Sequence, residues 1–83
     1  MKYLILEDFS GAPAAFIFPE RVDHAEMREQ LPYGKLLSGG WLHYEPEKGA
    51  FHCSGGSQEL GIEARPEDLG LILEALRKEP DPA

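Results

Sequence analysis

The sequence predicts an α+β fold: a small antiparallel sheet of about five strands, one longer C-terminal helix packed on a face of it, and one short helix. Three observations carry this. Short runs of strand-forming residues are divided by turn signals, notably Ser10-Gly11-Ala12-Pro13 and Pro46-Glu47-Lys48-Gly49. A helix-start signal lies at Asp23. Leu69, Ile72, Leu73 and Leu76 recur at three- and four-residue spacing. The order that results is β-β-α-β-β-β-α.

Residues 2–9 read as a central strand, with Lys2, Leu4, Leu6 and Asp8 on one face and Tyr3, Ile5, Glu7 and Phe9 on the other. Residues 14–18 form its hairpin partner, since sequential strands usually pair. Helix 23–31 opens on Asp23 as N-cap, with Glu26 completing a capping box and Val22 and Met27 a hydrophobic staple. Met27 and Leu31 share its packed face, while His24, Arg28, Glu29 and Gln30 face water. Gly39-Gly40 marks a bulge or sharp bend before the next strand.

Strands 41–45 and 50–54 make a second hairpin. A two- or four-residue loop gives one register: Glu45 opposite Ala50, Tyr44 opposite Phe51, His43 opposite His52, Leu42 opposite Cys53. Tyr44, Phe51, Leu42 and Cys53 make the better core face, and Trp41, His43, Glu45, His52 and Ser54 share the other. Ser54-Gly55-Gly56-Ser57 is a flexible turn, and residues 58–64 alternate as a fifth strand. Pro66 starts the second helix, with Glu67 and Asp68 suited to its positive end and Arg77 and Lys78 to its negative end.

The totals limit function. A chain of 83 residues is one domain, here residues 1–78, followed by an acidic, proline-containing tail at 79–83 that reads as disordered. So small a domain has few apolar residues to spare for a deep cavity. Net charge is −7 with no run of Lys or Arg, which excludes direct nucleic-acid binding and docking on an anionic membrane. Acidity serves solubility first; the sharper alternative is a nucleic-acid mimic that occupies a basic groove, with Glu7, Asp8, Glu59 and Glu63 clustered. One cysteine forbids an intramolecular disulfide, and the first residues carry neither signal peptide nor membrane span. The expected compartment is the cytoplasm.

Five features bear on chemistry. His43 and His52 face each other with Glu45 one step along, a ligand set that zinc accepts. Two imidazoles and one carboxylate without a further ligand motif fit a half-exposed aromatic strand face beside Trp41 better. Cys53 has no base on its own face, so a buried structural thiol is the better reading. The glycine pairs match no phosphate-binding pattern. Arg65-Pro66-Glu67-Asp68 reads as a helix start in which Arg65 pairs with the acids. Trp41 reads equally as a core residue or as a contact residue that forms a partner-binding patch with His43 and His52.

The stretches HAEMREQLPYGKLLSGG (His24 to Gly40) and LGIEARPEDLGLI (Leu60 to Ile72) resemble small uncharacterised bacterial proteins, some associated with prophage or mobile-element regions. The resemblance covers about a third of the chain, brings no activity or cofactor with it, and implies a protein that acts by binding. The expectation is therefore a non-enzymatic protein-binding module without a cofactor, whose partner is another protein or a second copy of itself. The acidic inhibitor is the alternative, and a metal-binding protein centred on His43 and His52 the second.

Overall fold

The computed structural model describes residues 1–32 and 34–77. The fold is α+β, in the order β1 (Lys2–Glu7), β2 (Pro13–Phe18), α1 (His24–Gln30), β3 (Lys35–Glu45), β4 (Ala50–Ser54), β5 (Gly56–Ser57), β6 (Ile62–Glu63) and α2 (Asp68–Arg77). Four strands form one antiparallel sheet ordered β2-β1-β3-β4, and β5 and β6 form a separate two-stranded ladder. The tail at 79–83 lies outside the described residues.

β1 is central because both of its faces are apolar. Tyr3, Leu4, Ile5 and Leu6 are fully buried. Tyr3 and Ile5 join Leu42 and Ile72 in one core cluster, against α2. Leu4, Leu6 and Phe18 form the second, into which Val22, Met27 and Leu31 of the α1 region pack. Burying a leucine or isoleucine contributes roughly 1.5–3 kcal/mol, so α2 and α1 are held mainly by these opposite faces of one strand. β1 ends at Glu7, earlier than predicted; Phe9 is 83% exposed beyond it.

The predicted second-hairpin register is observed pair for pair, from Glu45 opposite Ala50 to Leu42 opposite Cys53. Its loop is the four-residue form, closed by Lys48 N–H to Glu45 O at 3.1 Å, with Gly49 at φ 60°.

Five expectations are corrected. Gly39 and Gly40 do not bend the chain: they lie inside β3, an eleven-residue strand. A Cβ on Gly39 would stand 2.6 Å from Ile62 Cδ1 and 2.9 Å from the Tyr3 carbonyl, so close packing, not a turn, requires the glycine. The register irregularity falls instead at Ile5/Leu6, which pair with Ser38 and Leu36 and skip Leu37. Residues 58–64 are not one strand. Gln58 to Gly61 form a turn between β5 and β6, because Gly61 takes φ 67° and Gly56 packs against Ile62 and Glu63.

The capping box does not form, since Asp23 makes no side-chain cap bond. Its carboxylate stands 3.8 Å from Lys2 Nζ instead. His24 does not face water: it is 6% exposed, edge-on to Phe18 at 5.4 Å, and its Nε2–H donates to Gly40 O at 2.8 Å. Finally, α2 buries Ile72 and half-buries Leu69, while Leu73 and Leu76 remain 39% and 42% exposed.

Candidate interaction face on the β3–β4 arm

β3 outlasts β1. Met1 and Leu42 exchange the last backbone bonds between the two strands, 2.7 and 3.2 Å long. Beyond Leu42 only β3 and β4 continue, as a two-stranded arm. Such a ribbon is only marginally stable alone; Phe51 and Cys53 tie it to the Tyr3, Ile5, Leu42 and Ile72 cluster, and its side chains also hold each other.

On one face that happens through rings. Trp41 and His43 stack at 6.5 Å and 11°, and His43 and His52 at 4.8 Å and 24°. His52 Nδ1–H donates to Glu45 Oε1 at 2.6 Å, Lys48 Nζ lies 3.3 Å from Glu45 Oε2, and His43 Nε2 lies 3.0 Å from Ser54 Oγ. The reverse face carries Tyr44 against Phe51 at 4.9 Å, with Tyr44 54% exposed.

The two readings of Trp41 resolve into a division of labour. Its ring is half-buried: Lys2 Nζ lies 5.1 Å from its centroid, a cation–π contact, and Gly55 approaches its edge. Trp41 anchors the row, and His43 and His52 form its exposed part. Stacked imidazoles set their nitrogens side by side. Among the described residues no group of three His, Cys, Asp or Glu is arranged to hold a metal ion. What the row offers is flat aromatic surface with hydrogen-bonding edges.

The residue that sequence reasoning missed is Asp68. It reads as a surface acid at a helix start, yet its exposure is zero. It accepts from Tyr3 Oη at 2.7 Å, Ser38 Oγ at 2.7 Å, Arg65 N–H at 2.8 Å and Arg65 Nε at 2.9 Å. The expected Arg65 ion pair is present within this set. Burial alone pushes the Asp68 carboxyl up; the bonds from Tyr3, Arg65 and Ser38 outweigh it and hold it below the ordinary range. Burial pushes the Tyr3 hydroxyl far up, and the adjoining Asp68 adds to this. Cys53 is half-buried against Tyr3, and burial raises its thiol despite the Tyr3 hydroxyl. The available signal was Arg65-x-x-Asp68, the three-residue spacing at which a side chain at a helix start reaches back to a preceding N–H.

The acids of the mimic reading are partly occupied. Glu7 stands 4.0 Å from Lys35, and Asp8 Oδ1 accepts from Ser10 Oγ and from the Ser10 and Ala12 N–H groups. Glu59 and Glu63 are exposed. Among the described residues no helix is long and apolar enough to cross a membrane. Set against protein-family models, curated proteins and solved structures, the chain matches none of them.

Proposed function

We propose that this chain is a non-enzymatic protein-binding module of the cytoplasm that presents the β3–β4 arm to its partner. The observation that carries the reading is the exposure of His43, His52 and Tyr44 on the two-stranded arm, with His43 stacked between half-buried Trp41 and His52, and Tyr44 tilted against half-buried Phe51. Aromatic rings fixed in place give contact area at little entropic cost, which is what interface hot spots use.

The test is affinity capture from host lysate, with and without nuclease. The wild-type chain is compared with a His43→Ser/Tyr44→Ser variant, whose changes fall on exposed side chains. A stoichiometric protein retained by the wild type after nuclease and lost by the variant supports the reading. A partner held equally by both moves the site off the arm. A nucleic-acid enzyme captured through the acids Glu59 and Glu63 favours the inhibitor instead.

A further inference from the structure

The arm ends in a strand whose outer side pairs with no other strand among the described residues. In the sheet order β2-β1-β3-β4, β4 is terminal. The direction of its backbone groups follows from the bonds between Met1 and Leu42. Leu42 points its N–H and C=O toward β1, so His43 and Glu45 point theirs toward β4. Their partners His52 and Ala50 face back, which leaves Phe51 and Cys53 with N–H and C=O aimed outward.

Free edges are normally blunted by charge, proline or a bulge. The other terminal strand, β2, has such a device. Asp8 N–H bonds Ala12 O, which makes the even positions of β1 face β2 and leaves Pro13, Ala15 and Ile17 outward, of which Pro13, at the strand's start, has no N–H to offer. β4 has none. From Gly49 to Gln58 no side chain is Asp, Glu, Lys or Arg, in a chain of net charge −7, and its pairing with β3 is regular.

We propose that the partner of this edge is a second copy of the chain, joined antiparallel β4 to β4 about a two-fold axis through His52. The proposal rests on the binding reading above and names its partner. The axis sets Phe51 of each copy opposite Cys53 of the other as a hydrogen-bonded pair, so the outward groups satisfy each other. It sets His52 opposite His52 as a non-hydrogen-bonded pair, with Cα atoms about 4.5 Å apart. The charged turn bearing Glu45, Glu47 and Lys48 then runs beside uncharged Gly55, Gly56 and Ser57 of the other copy, so two chains of equal charge meet without like charges opposed.

The row of rings doubles. Trp41, His43 and His52 of one copy continue into His52, His43 and Trp41 of the next, so a larger partner surface is complete only in the pair. The two-fold axis uses the same strand of both copies, so this contact is isologous and closes as a dimer.

The experiment is sedimentation equilibrium on the full chain at micromolar concentration, with two variants. The wild type is expected at twice 9.2 kDa. His52→Lys can still reach Glu45 and so keeps the β3–β4 pairing, but places two ammonium groups across the axis; the dimer dissociation constant is expected to rise about tenfold or more. His52→Cys is expected to cross-link to itself in air, because about 4.5 Å between Cα atoms suits a disulfide. Ser54→Cys, which faces Ala50, is expected not to. A wild type that is monomeric throughout overturns the dimer, and if it still captures another protein the binding reading survives alone. A dimer indifferent to His52→Lys and uncross-linked at 52 overturns the β4 edge as its site.

Discussion

Tyr3 and Asp68 meet in a buried hydrogen bond of 2.7 Å across 65 positions of sequence. The bond ties the first turn of α2 to the central strand of the sheet. Ser38 joins it from β3, and it does so because of the bulge: skipping Leu37 turns Ser38 to the Tyr3 and Ile5 side while Leu36 stays with Leu6. A buried charge surrounded by four donors stabilises only while the set is whole.

Asp68→Ala is therefore expected to cost about 3–5 kcal/mol, because it strands the Tyr3 and Ser38 hydroxyls and the Arg65 guanidinium. Tyr3→Phe removes one donor from a charged acceptor and is expected to cost about 1.5–3 kcal/mol. Urea titrations of the two variants against the wild type measure both. Equal, small losses would show that the bond is incidental.

Stability should fall at both ends of the pH scale through the same pair. Asp68 sits below its ordinary 3.8 in the folded chain, so its contribution is present above that value and is lost as pH drops through the lower, folded one. Tyr3 sits above its ordinary 10.0, so its contribution is full below 10.0 and is lost as pH climbs toward the folded value. Urea midpoints followed across acid and alkaline pH check this, and Tyr3→Phe is expected to flatten the alkaline limb.

Gly39→Ala and Gly70→Ala should shift stability in opposite directions. At 39 the added carbon meets Ile62, Leu4 and the Tyr3 carbonyl within 3 Å, and overpacking costs about 1–3 kcal/mol. At 70, on the exposed side of α2, nothing lies within 4 Å, and alanine stabilises a helix interior by roughly 0.5–1 kcal/mol over glycine. Thermal melts of the two variants give the signs directly.

Cys53 should label slowly in the native chain. Its thiol is half-buried, and burial raises it above the ordinary 9.0, so little thiolate forms at neutral pH. Iodoacetamide is expected to alkylate it slower than free cysteine, and at the free rate in urea. A native rate equal to the free one would mean that the Tyr3–Cys53 packing is open in solution.

Much of the fold was legible because it is local. The hairpin register of β3 and β4 follows from one turn and period-two alternation, and every pair came out as read. The helix positions follow from spacing. What stayed hidden depends on contacts between distant segments. His24 looks like a solvent-facing residue on an amphipathic helix, and only the Gly40 carbonyl and Phe18 ring of other elements explain its burial. Gly39 looks like a bend until Ile62 is placed against it. The aromatic row was legible as a set, whereas the share of it that Lys2 covers was not, since that cation arrives from β1.

The partnership of residues 3 and 68 also sets an order of events during synthesis. β1 leaves the ribosome before α2, and its Tyr3 hydroxyl waits for an acceptor until α2 has emerged. A nascent chain arrested with residue 68 still inside the exit tunnel has Ile5, Leu42 and the Tyr3 ring without Ile72 to cover them. Such an arrested chain is expected to be cut readily by protease and to become resistant only when the tunnel releases α2, so that translation, rather than the sheet, times the completion of the fold.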